Sequence, residues 1–422
     1  MKRSPLIVIF TTVFIDLVGF GIVIPVLPFY AEGTAFNATP RTVGLLFASY
    51  SIMQLIFSPV LGRLSDKYGR RPVLLSSILG TGLGFLILGF ATTVSMLFAG
   101  RILDGITGGN ISTAQAYIAD ITTTEDRAKG MGLIGAAFGL GFIFGPAIGG
   151  VLTRWGIHVP FFFAAALCFA NSVLLFFRLP ETVTKDHPAR NLASGGRGLA
   201  QLLTSIKQPR LGFVLTIYFL FIVAFSIMTT SFSLYTMFRF GYDAQHTGYL
   251  FAYVGLIAVI IQGGLIGRLV KKFGELPLVI TGALFFTLSL FAVPFVSPVA
   301  GGLAALLIGG GVFSMGNSLA TPALTSLASK SVGPAEQGTV LGVTQSIASL
   351  ARAVGPSLAA VLISSRVAHM GADGELHFMS VHSLFVTFWT AAAIMFVAFL
   401  LALYFIRTRA AEYPRRRGSR MI

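Results

Sequence analysis

The sequence predicts an all-α integral membrane protein in which twelve transmembrane helices form two pseudo-symmetric six-helix halves. Three observations carry that expectation. Of 422 residues, 55% are hydrophobic and 11% charged, with a mean hydropathy of +0.83, whereas soluble chains carry about 25% charged residues. The apolar residues gather into twelve stretches, each near the roughly 20 residues needed to cross a bilayer. Landmarks of the first half also recur in the second at a nearly constant offset.

The first span, 6–30, follows Met1-Lys2-Arg3 and contains Asp16, Pro25 and Pro28. This start superficially resembles a secretory signal. Its apolar run is too long for a signal core and no small-residue cleavage site follows, so it reads as a permanent helix. Spans 42–62 and 72–92 come next, joined by a basic loop. Span 94–118 holds Arg101 and Asp104, span 128–152 is rich in glycine, and span 159–178 holds the single cysteine, Cys168. One cysteine excludes a disulfide framework within the chain and a cysteine metal cluster.

Residues 179–210 interrupt the apolar rhythm with Pro180, Pro188, Gly195-Gly196 and Pro209. They read as a cytoplasmic linker, with one short interfacial helical piece at 199–206, between a bundle at 1–178 and a second at 211–422. Spans 211–236, 246–268, 277–296, 299–326, 336–364 and 380–406 build that second bundle, and a basic tail follows. The repeat is visible residue by residue. Gly62-Arg-Leu-Ser-Asp-Lys-Tyr-Gly69 matches Gly267-Arg-Leu-Val-Lys-Lys-Phe-Gly274 at an offset of 205, and Gly109-Asn110 matches Gly316-Asn317 at 207. Gly132 and Gly145-Pro146 match Gly342 and Gly355-Pro356 at 210. Two parallel six-helix repeats related by an axis along the membrane normal are an arrangement found among membrane transporters.

Loop charge sets the orientation. With the amino terminus inside, 24 Lys/Arg fall on the cytoplasmic side and 4 (Arg41, Arg154, Arg239, Arg366) on the other. This is a positive-inside distribution with both termini cytoplasmic. It also accounts for the net charge of +15 as attraction to anionic lipid rather than to nucleic acid.

Four ions lie inside the spans: Asp16, Arg101, Asp104 and Arg352. Each costs roughly 2.5–3.5 kcal/mol at a helix centre, so such groups face cavities, pair with one another, or move protons and ligands. Asp16 lies ten residues into its helix, about 15 Å deep at 1.5 Å per residue, and Asp104 reaches similar depth from the opposite face. Both suit proton exchange; the bland alternative for Asp16 is a structural carboxylate. Arg101 and Asp104, three residues apart, share a helix face with Gly105, Gly108, Ser112 and Gln115, a stripe expected to line a cavity. The pair is read either as a switch or as a permanent structural ion pair. Arg352 pairs across the cavity with Asp16 or Asp104, or snorkels to the interface. Gln54, Asn171, Gln262, Asn317 and Gln345 are further cavity candidates, although each alone is more often a hydrogen-bonded packing residue. Gly141, Gly145 and Gly149 leave a flat face for a close neighbour, and Pro146 bends the helix.

Several motifs resemble a known family. Gly62-Arg-Leu-Ser-Asp66-Lys-Tyr-Gly69-Arg70-Arg71 resembles the signature loop of the major facilitator superfamily, and Arg101-Ile-Leu-Asp-Gly-Ile-Thr-Gly-Gly resembles its helix-4 arginine motif. Gly135 to Gly150, ending Gly145-Pro146-Ala-Ile-Gly149-Gly150, resembles the motif of drug/proton antiporters. Asp16-Leu-Val-Gly-Phe-Gly-Ile-Val-Ile-Pro-Val-Leu-Pro28 and Ala116-Tyr-Ile-Ala-Asp120-Ile-Thr resemble tetracycline/proton antiporters. The likeness covers the whole chain and is strongest over 10–180. It implies that Asp66 and Arg70 latch the halves when the cavity opens outward, often with Asp120; Lys271 replaces Asp66 in the second copy, which makes the latch one-sided. Spans 72–92 and 277–296 lack the acidic residues those antiporters carry, and helix 8 lacks an interior histidine. A different substrate or a simpler proton pathway is therefore expected.

The resulting expectation is a secondary transporter of the bacterial inner membrane, a proton-coupled antiporter exporting a small amphipathic molecule or drug and acting as a monomer. Asp16 and Asp104 couple protons, and Arg101, Arg352, Gln115 and Asn317 meet substrate or pair charge. The alternatives are a symporter or uniporter for a metabolite and a non-transporting receptor. No cofactor or metal is expected. An enzyme is disfavoured because all six histidines sit in loops or near helix ends, and no G-x-x-x-x-G-K-[ST] loop is present for ATP.

Overall fold

The computed structural model describes residues 3–33, 35–122, 127–183, 209–332, 337–365 and 367–410. The expected helical piece at 199–206 lies outside them. The chain runs through α1 (Arg3–Glu32), α2 (Pro40–Tyr68), α3 (Arg70–Gly89), α4 (Val94–Thr107), α5 (Asn110–Ile121), α6 (Arg127–Leu152) and α7 (Val159–Arg178). It resumes with α8 (Pro209–Phe240), α9 (Ala244–Ile260), α10 (Ile266–Phe273), α11 (Glu275–Ala292), α12 (Gly302–Lys330), α13 (Gln337–Leu362) and α14 (Val381–Ala410). A π turn, Ile261–Leu265, joins α9 to α10, and α4 and α5 share one crossing, so these helices make twelve crossings. Among the described residues, ten helices are long and apolar enough to span a membrane by themselves.

Span 94–118 was expected to be one helix, but it divides at Gly108-Gly109. A β-carbon added at Gly105 would lie 2.5 Å from the Tyr50 carbonyl oxygen, and one at Gly109 2.8 Å from Ser58 Cα. Helix α2 therefore presses onto this stretch at its narrowest points, and two successive glycines let the backbone turn there. The stripe Gly105, Gly108 and Ser112, expected to line a cavity, instead forms a packing seam with α2, where Ser112 donates to the Ser58 carbonyl at 3.1 Å. Gln115, the last member of the stripe, is half-buried on α5.

Small residues fix the close crossings. A β-carbon at Gly145 of α6 would lie 2.6 Å from Gly21 Cα of α1, and one at Gly141 2.5 Å from Leu17 Cβ. Gly149 seats on Ile22, and Gly150 seats on Gly248 of α9. Gly135 is also in α6. The eleventh crossing repeats the arrangement of the fifth: Gly355 of α13 seats on Ser226 of α8, where an added β-carbon would lie 2.5 Å from Ser226 Cβ. A second repeated contact was not foreseen. Tyr30 Oη donates to the Leu88 and Ala91 carbonyls, both at 3.1 Å. Tyr235 Oη donates to the Val293 and Val296 carbonyls at 2.9 and 2.8 Å. Every partner is shifted by 205 positions, the offset already seen at Gly62 and Gly267. The only strands among the described residues are β1 (His369–Met370) and β2 (Leu376–His377), antiparallel with His369 opposite His377, in the loop before α14.

Gly145→Val is expected to lower stability by about 3 kcal/mol, the upper range for overpacking. Gly309→Val, at a helical site with open space beside it, is the control. Thermal unfolding midpoints in detergent measure both, and equal midpoints would remove the α1–α6 seam as a determinant of assembly.

Candidate functional site

The amino-terminal half buries a connected polar cluster. Arg101 Nη1 donates to Asp104 Oδ2 at 2.7 Å, and Arg101 is wholly buried. Its guanidinium stacks 4.2 Å from the Tyr50 ring centroid, an added cation–π attraction. Gln54 Nε2 donates to Tyr50 Oη and to the Gly108 carbonyl, both at 2.9 Å, so the broken fourth crossing is tied to α2. The Thr81 and Thr107 hydroxyls bond each other at 3.1 Å, and Thr107 donates to the Asp104 carbonyl at 3.3 Å. Asp16 belongs to the same neighbourhood: Asn110 Nδ2, first residue of α5, donates to Asp16 Oδ1 at 3.2 Å. Thr12 and Asn171 pair nearby at 3.3 Å. Several buried atoms of the cluster, Arg101 Nε and Nη2, Gln54 Oε1, Asn110 Oδ1 and Asn171 Nδ2, have no hydrogen-bond partner among the described residues.

A pocket lies between the halves beside this cluster. Its wall includes Phe20 of α1, Phe47 and Ser51 of α2, Phe142 of α6, Phe225, Ser226, Thr229 and Thr230 of α8, and Arg352 and Pro356 of α13. Phe20 is one helical turn from Asp16 and packs 5.4 Å from the Tyr50 ring, so the pocket and the buried acids share a wall. Arg352 was expected to pair with Asp16 or Asp104, or to snorkel. It does neither among the described residues: Arg352 Nη2 donates to Ser349 Oγ at 3.2 Å, and its electrostatic neighbours are Tyr218 and Tyr50. Asn317 of α12 accepts from Thr321 at 3.0 Å, and Gln262 donates to Ser318 at 3.4 Å; neither borders the pocket.

The signature loop sits on the face that carries the chain termini. Arg70 Nε donates to Asp120 Oδ2 at 3.0 Å, Arg70 Nη1 to Ser65 Oγ at 2.7 Å, and the same guanidinium pairs with Asp66. Glu181 completes the cluster and was missed in the sequence. Its carboxylate accepts from the Arg70 and Arg71 amides at 2.9 and 3.0 Å, an anion held at a helix N-terminus. Gly69 has φ of +109°, and a β-carbon there would lie 2.4 Å from Glu181 Oε2, so only glycine fits. Gly62 adjoins Ser112, and Arg71 donates to the Phe176 carbonyl. These bonds all connect elements of the amino-terminal half. In the second copy, Glu275 stands 205 positions after Arg70 and pairs with Lys330 at the end of the tenth crossing. It is the same contact with charges exchanged.

On the opposite face the halves meet closely. Gly44 seats on Ala360, Ser233 Oγ donates to the Ile24 carbonyl at 3.3 Å, and Arg154 Nε donates to Gln245 Oε1 at 2.9 Å. His377 closes this seal. Its Nδ1 lies 3.0 Å from Glu32 Oε2 at the end of α1, and its Nε2 lies 2.9 Å from Asp373 Oδ2. The side chain is 8% exposed. Burial by itself would lower the His377 pKa, but hydrogen bonds to Glu32 and Asp373 and their charge outweigh it and push the value up to about 9.

Twelve crossings around a pocket shared by both halves, with Arg352 in its wall and Asp16, Arg101 and Asp104 buried nearby, fit a transporter of small molecules. The Major Facilitator Superfamily profile matches residues 9–356, and the chain belongs to that superfamily. It is 33% identical over 413 residues to the class H tetracycline resistance protein of Pasteurella multocida, covering 96% of each chain. It is 32% identical over 378 residues to multidrug resistance protein 2 of Bacillus subtilis, covering 87% of this chain and 90% of that one. The crystal structure of the human organic anion transporter MFSD10 (TETRAN) superposes with a TM-score of 0.70 at 26% identity, covering 95% of this chain and 99% of that one.

The seal generates a pH prediction. A histidine raised from its ordinary 6.5 to about 9 adds stability that is complete below about pH 6.5 and lost as pH rises through about 9. Thermal unfolding of the wild type and His377→Gln across that window is expected to show a wild-type advantage at pH 6 that vanishes above 9. A pH-independent difference would remove the charged histidine from the seal.

Proposed function

We propose that this chain is a proton-driven antiporter that exports a small amphipathic molecule across the bacterial inner membrane by alternating access. The observation that carries the reading is the placement of Asp16. This acid, whose one side-chain hydrogen-bond partner among the described residues is Asn110, lies one turn from Phe20, which lines the pocket between the halves. Asp104 is bound to Arg101, which suits it to a supporting role, whereas Asp16 has one weak neutral partner to release. Protonation of Asp16 in the membrane removes a costly charge, and occupation of the adjacent pocket changes that cost, which couples the two events.

The positive-inside distribution places both termini in the cytoplasm, so the His377 seal faces outward. In this orientation the pocket is shut off from the exterior, and the Asp66–Arg70–Asp120 cluster belongs to the cytoplasmic face, where it acts as a latch in the alternate state. The glycine seam between α1 and α6 lets these helices move as one body. The relatives named for tetracycline and multidrug resistance support drug-like export, and tetracycline is a suitable first substrate.

In proteoliposomes with an imposed pH gradient, Asp16→Asn is expected to abolish gradient-driven tetracycline flux while preserving gradient-free exchange of labelled for unlabelled substrate. Full gradient-driven flux by that variant would eliminate Asp16 as the coupling group.

A further inference from the structure

Asp16 is bonded to the interior of its own half. Its hydrogen bond comes from Asn110 at 3.2 Å, and neither residue lines the pocket between the halves. A carboxyl group that exchanges protons from such a place needs a polar path to water, because an apolar core offers a proton no resting point.

Asn110 opens that path. It begins α5, on which Asn110, Thr113, Tyr117 and Asp120 fall within about 80° of one another at 100° per residue. Asn110, Thr113 and Tyr117 are 2% exposed or less. The stripe therefore runs inside the protein for about 15 Å at 1.5 Å per residue. Helix α3 carries a second buried stripe, Arg70, Ser77 and Thr81, each at most 4% exposed. The Arg70–Asp120 pair at 3.0 Å sets these two antiparallel helices in register. Ser77 stands seven residues from Arg70, and Thr113 seven from Asp120. Both hydroxyls thus sit at one depth, about 10 Å inside the cytoplasmic end.

Ser77 Oγ, Thr113 Oγ1 and Asn110 Oδ1 are buried without a hydrogen-bond partner among the described residues. Buried polar atoms of folded proteins are satisfied by protein or by ordered water. No protein group serves these three, so water does. At the cytoplasmic end, Tyr117 Oη donates to the Pro180 carbonyl at 2.9 Å, and Thr182 donates to Asp120 at 3.0 Å. Arg70 there faces two carboxylates, Asp66 and Asp120. Their one net negative charge draws protons to the mouth.

We propose that protons pass between Asp16 and the cytoplasm inside the amino-terminal half, along a file of water held by Asn110, Thr113 and Ser77 that opens at the Arg70–Asp120 pair. The substrate keeps the pocket between the halves, so the two cargoes travel by different routes. A hydroxyl relays a proton by accepting one on its oxygen while giving up its own. On discharge the Asp16 O–H bond breaks and the first water takes the proton. Each relay oxygen then takes one proton and passes one on, and one leaves at the mouth. The step ends with an Asp16 carboxylate and one proton in cytoplasmic water. The proposal rests on the reading that Asp16 exchanges protons.

Infrared difference spectra of the purified protein after light-triggered proton release test it, with the Asp16 carboxyl band identified as the one lost in Asp16→Asn. Thr113→Val and Ser77→Ala are each expected to slow the rise of that band about tenfold, the rate equivalent of one lost hydrogen bond in the path. The pH midpoint of the band is expected to stay in place, since a relay alters the rate and not the equilibrium. Thr113→Ser is expected to restore the rate. Ser231, a buried hydroxyl of the other half also without a partner among the described residues, supplies the control, and Ser231→Ala is expected to match the wild type. Ser77→Ala removes one atom and carries the test if Thr113→Val does not fold. Wild-type rates in the Ser77 and Thr113 variants overturn the proposal, as does slowing matched by a shifted midpoint, which marks a structural role. The readings fail separately. Slowed protonation in these variants without gradient-driven drug flux in the wild type sinks the antiporter alone. Drug flux that depends on Asp16, with protonation indifferent to Ser77 and Thr113, sinks the internal file alone.

Discussion

The Arg101–Asp104 pair, buried with the Tyr50 ring over its guanidinium, is the interaction on which the amino-terminal half depends. Taking two ions out of water costs several kcal/mol each, and removing one partner of such a pair costs about 3–5 kcal/mol. The surrounding structure answers that cost. Tyr50 covers the guanidinium, and Gln54 ties Tyr50 to the Gly108 carbonyl. The Gly108-Gly109 break then starts α5 at Asn110, which reaches Asp16. A straight fourth helix would carry the same residues without that junction. Helix breakage, ion pairing and the placement of Asp16 are one arrangement.

Duplication supplied the scaffold, and divergence supplied the function. Tyr30 and Tyr235 clamp equivalent helix ends, and Gly145 and Gly355 seat equivalent crossings. The contents of the two halves differ sharply. Where the first half packs Asp16, Arg101 and Asp104, the second packs Phe221 against Phe286 and Phe286 against Phe313, with ring centroids 5.0 and 4.5 Å apart. The second half thus carries an aromatic cluster and Arg352, and the first carries both buried carboxylates and Arg101. At the terminal face each half keeps an ion pair, Arg70–Asp120 and Glu275–Lys330, with the signs exchanged.

The inter-half contacts explain how the pocket is shut on one side. Gly44 against Ala360 and Gly150 against Gly248 allow backbones to approach closely. The His377 bonds then join the β-hairpin loop of one half to the end of α1 in the other. The crossings of α2 with α13 and of α6 with α9 are among the most closely packed helix pairs of the described residues, so this face is shut by backbone-to-backbone packing. The glycine seams within each half join α1 to α6 and α8 to α13.

The sequence by itself determined the class of fold. Hydropathy shows how many times the chain crosses, because a bilayer sets one length for every apolar run. Local spacing placed Arg101 and Asp104 on one face, and the offset of 205–210 exposed the duplication. The tertiary structure decided what each buried group touches. Arg352 was given carboxylate partners that the fold does not supply: its hydrogen bond goes to Ser349, one turn away on the same helix, whereas Tyr50 and Tyr218 come from other crossings. Glu181 reads as an ordinary acid after a proline until the fold brings it to the start of α3. Gly105 and Gly108 read as a cavity wall because a small residue looks the same whether it leaves space or is pressed shut by a neighbouring helix. Periodicity along one helix reports which residues share a face; only packing reports whether that face meets lipid, protein or the pocket.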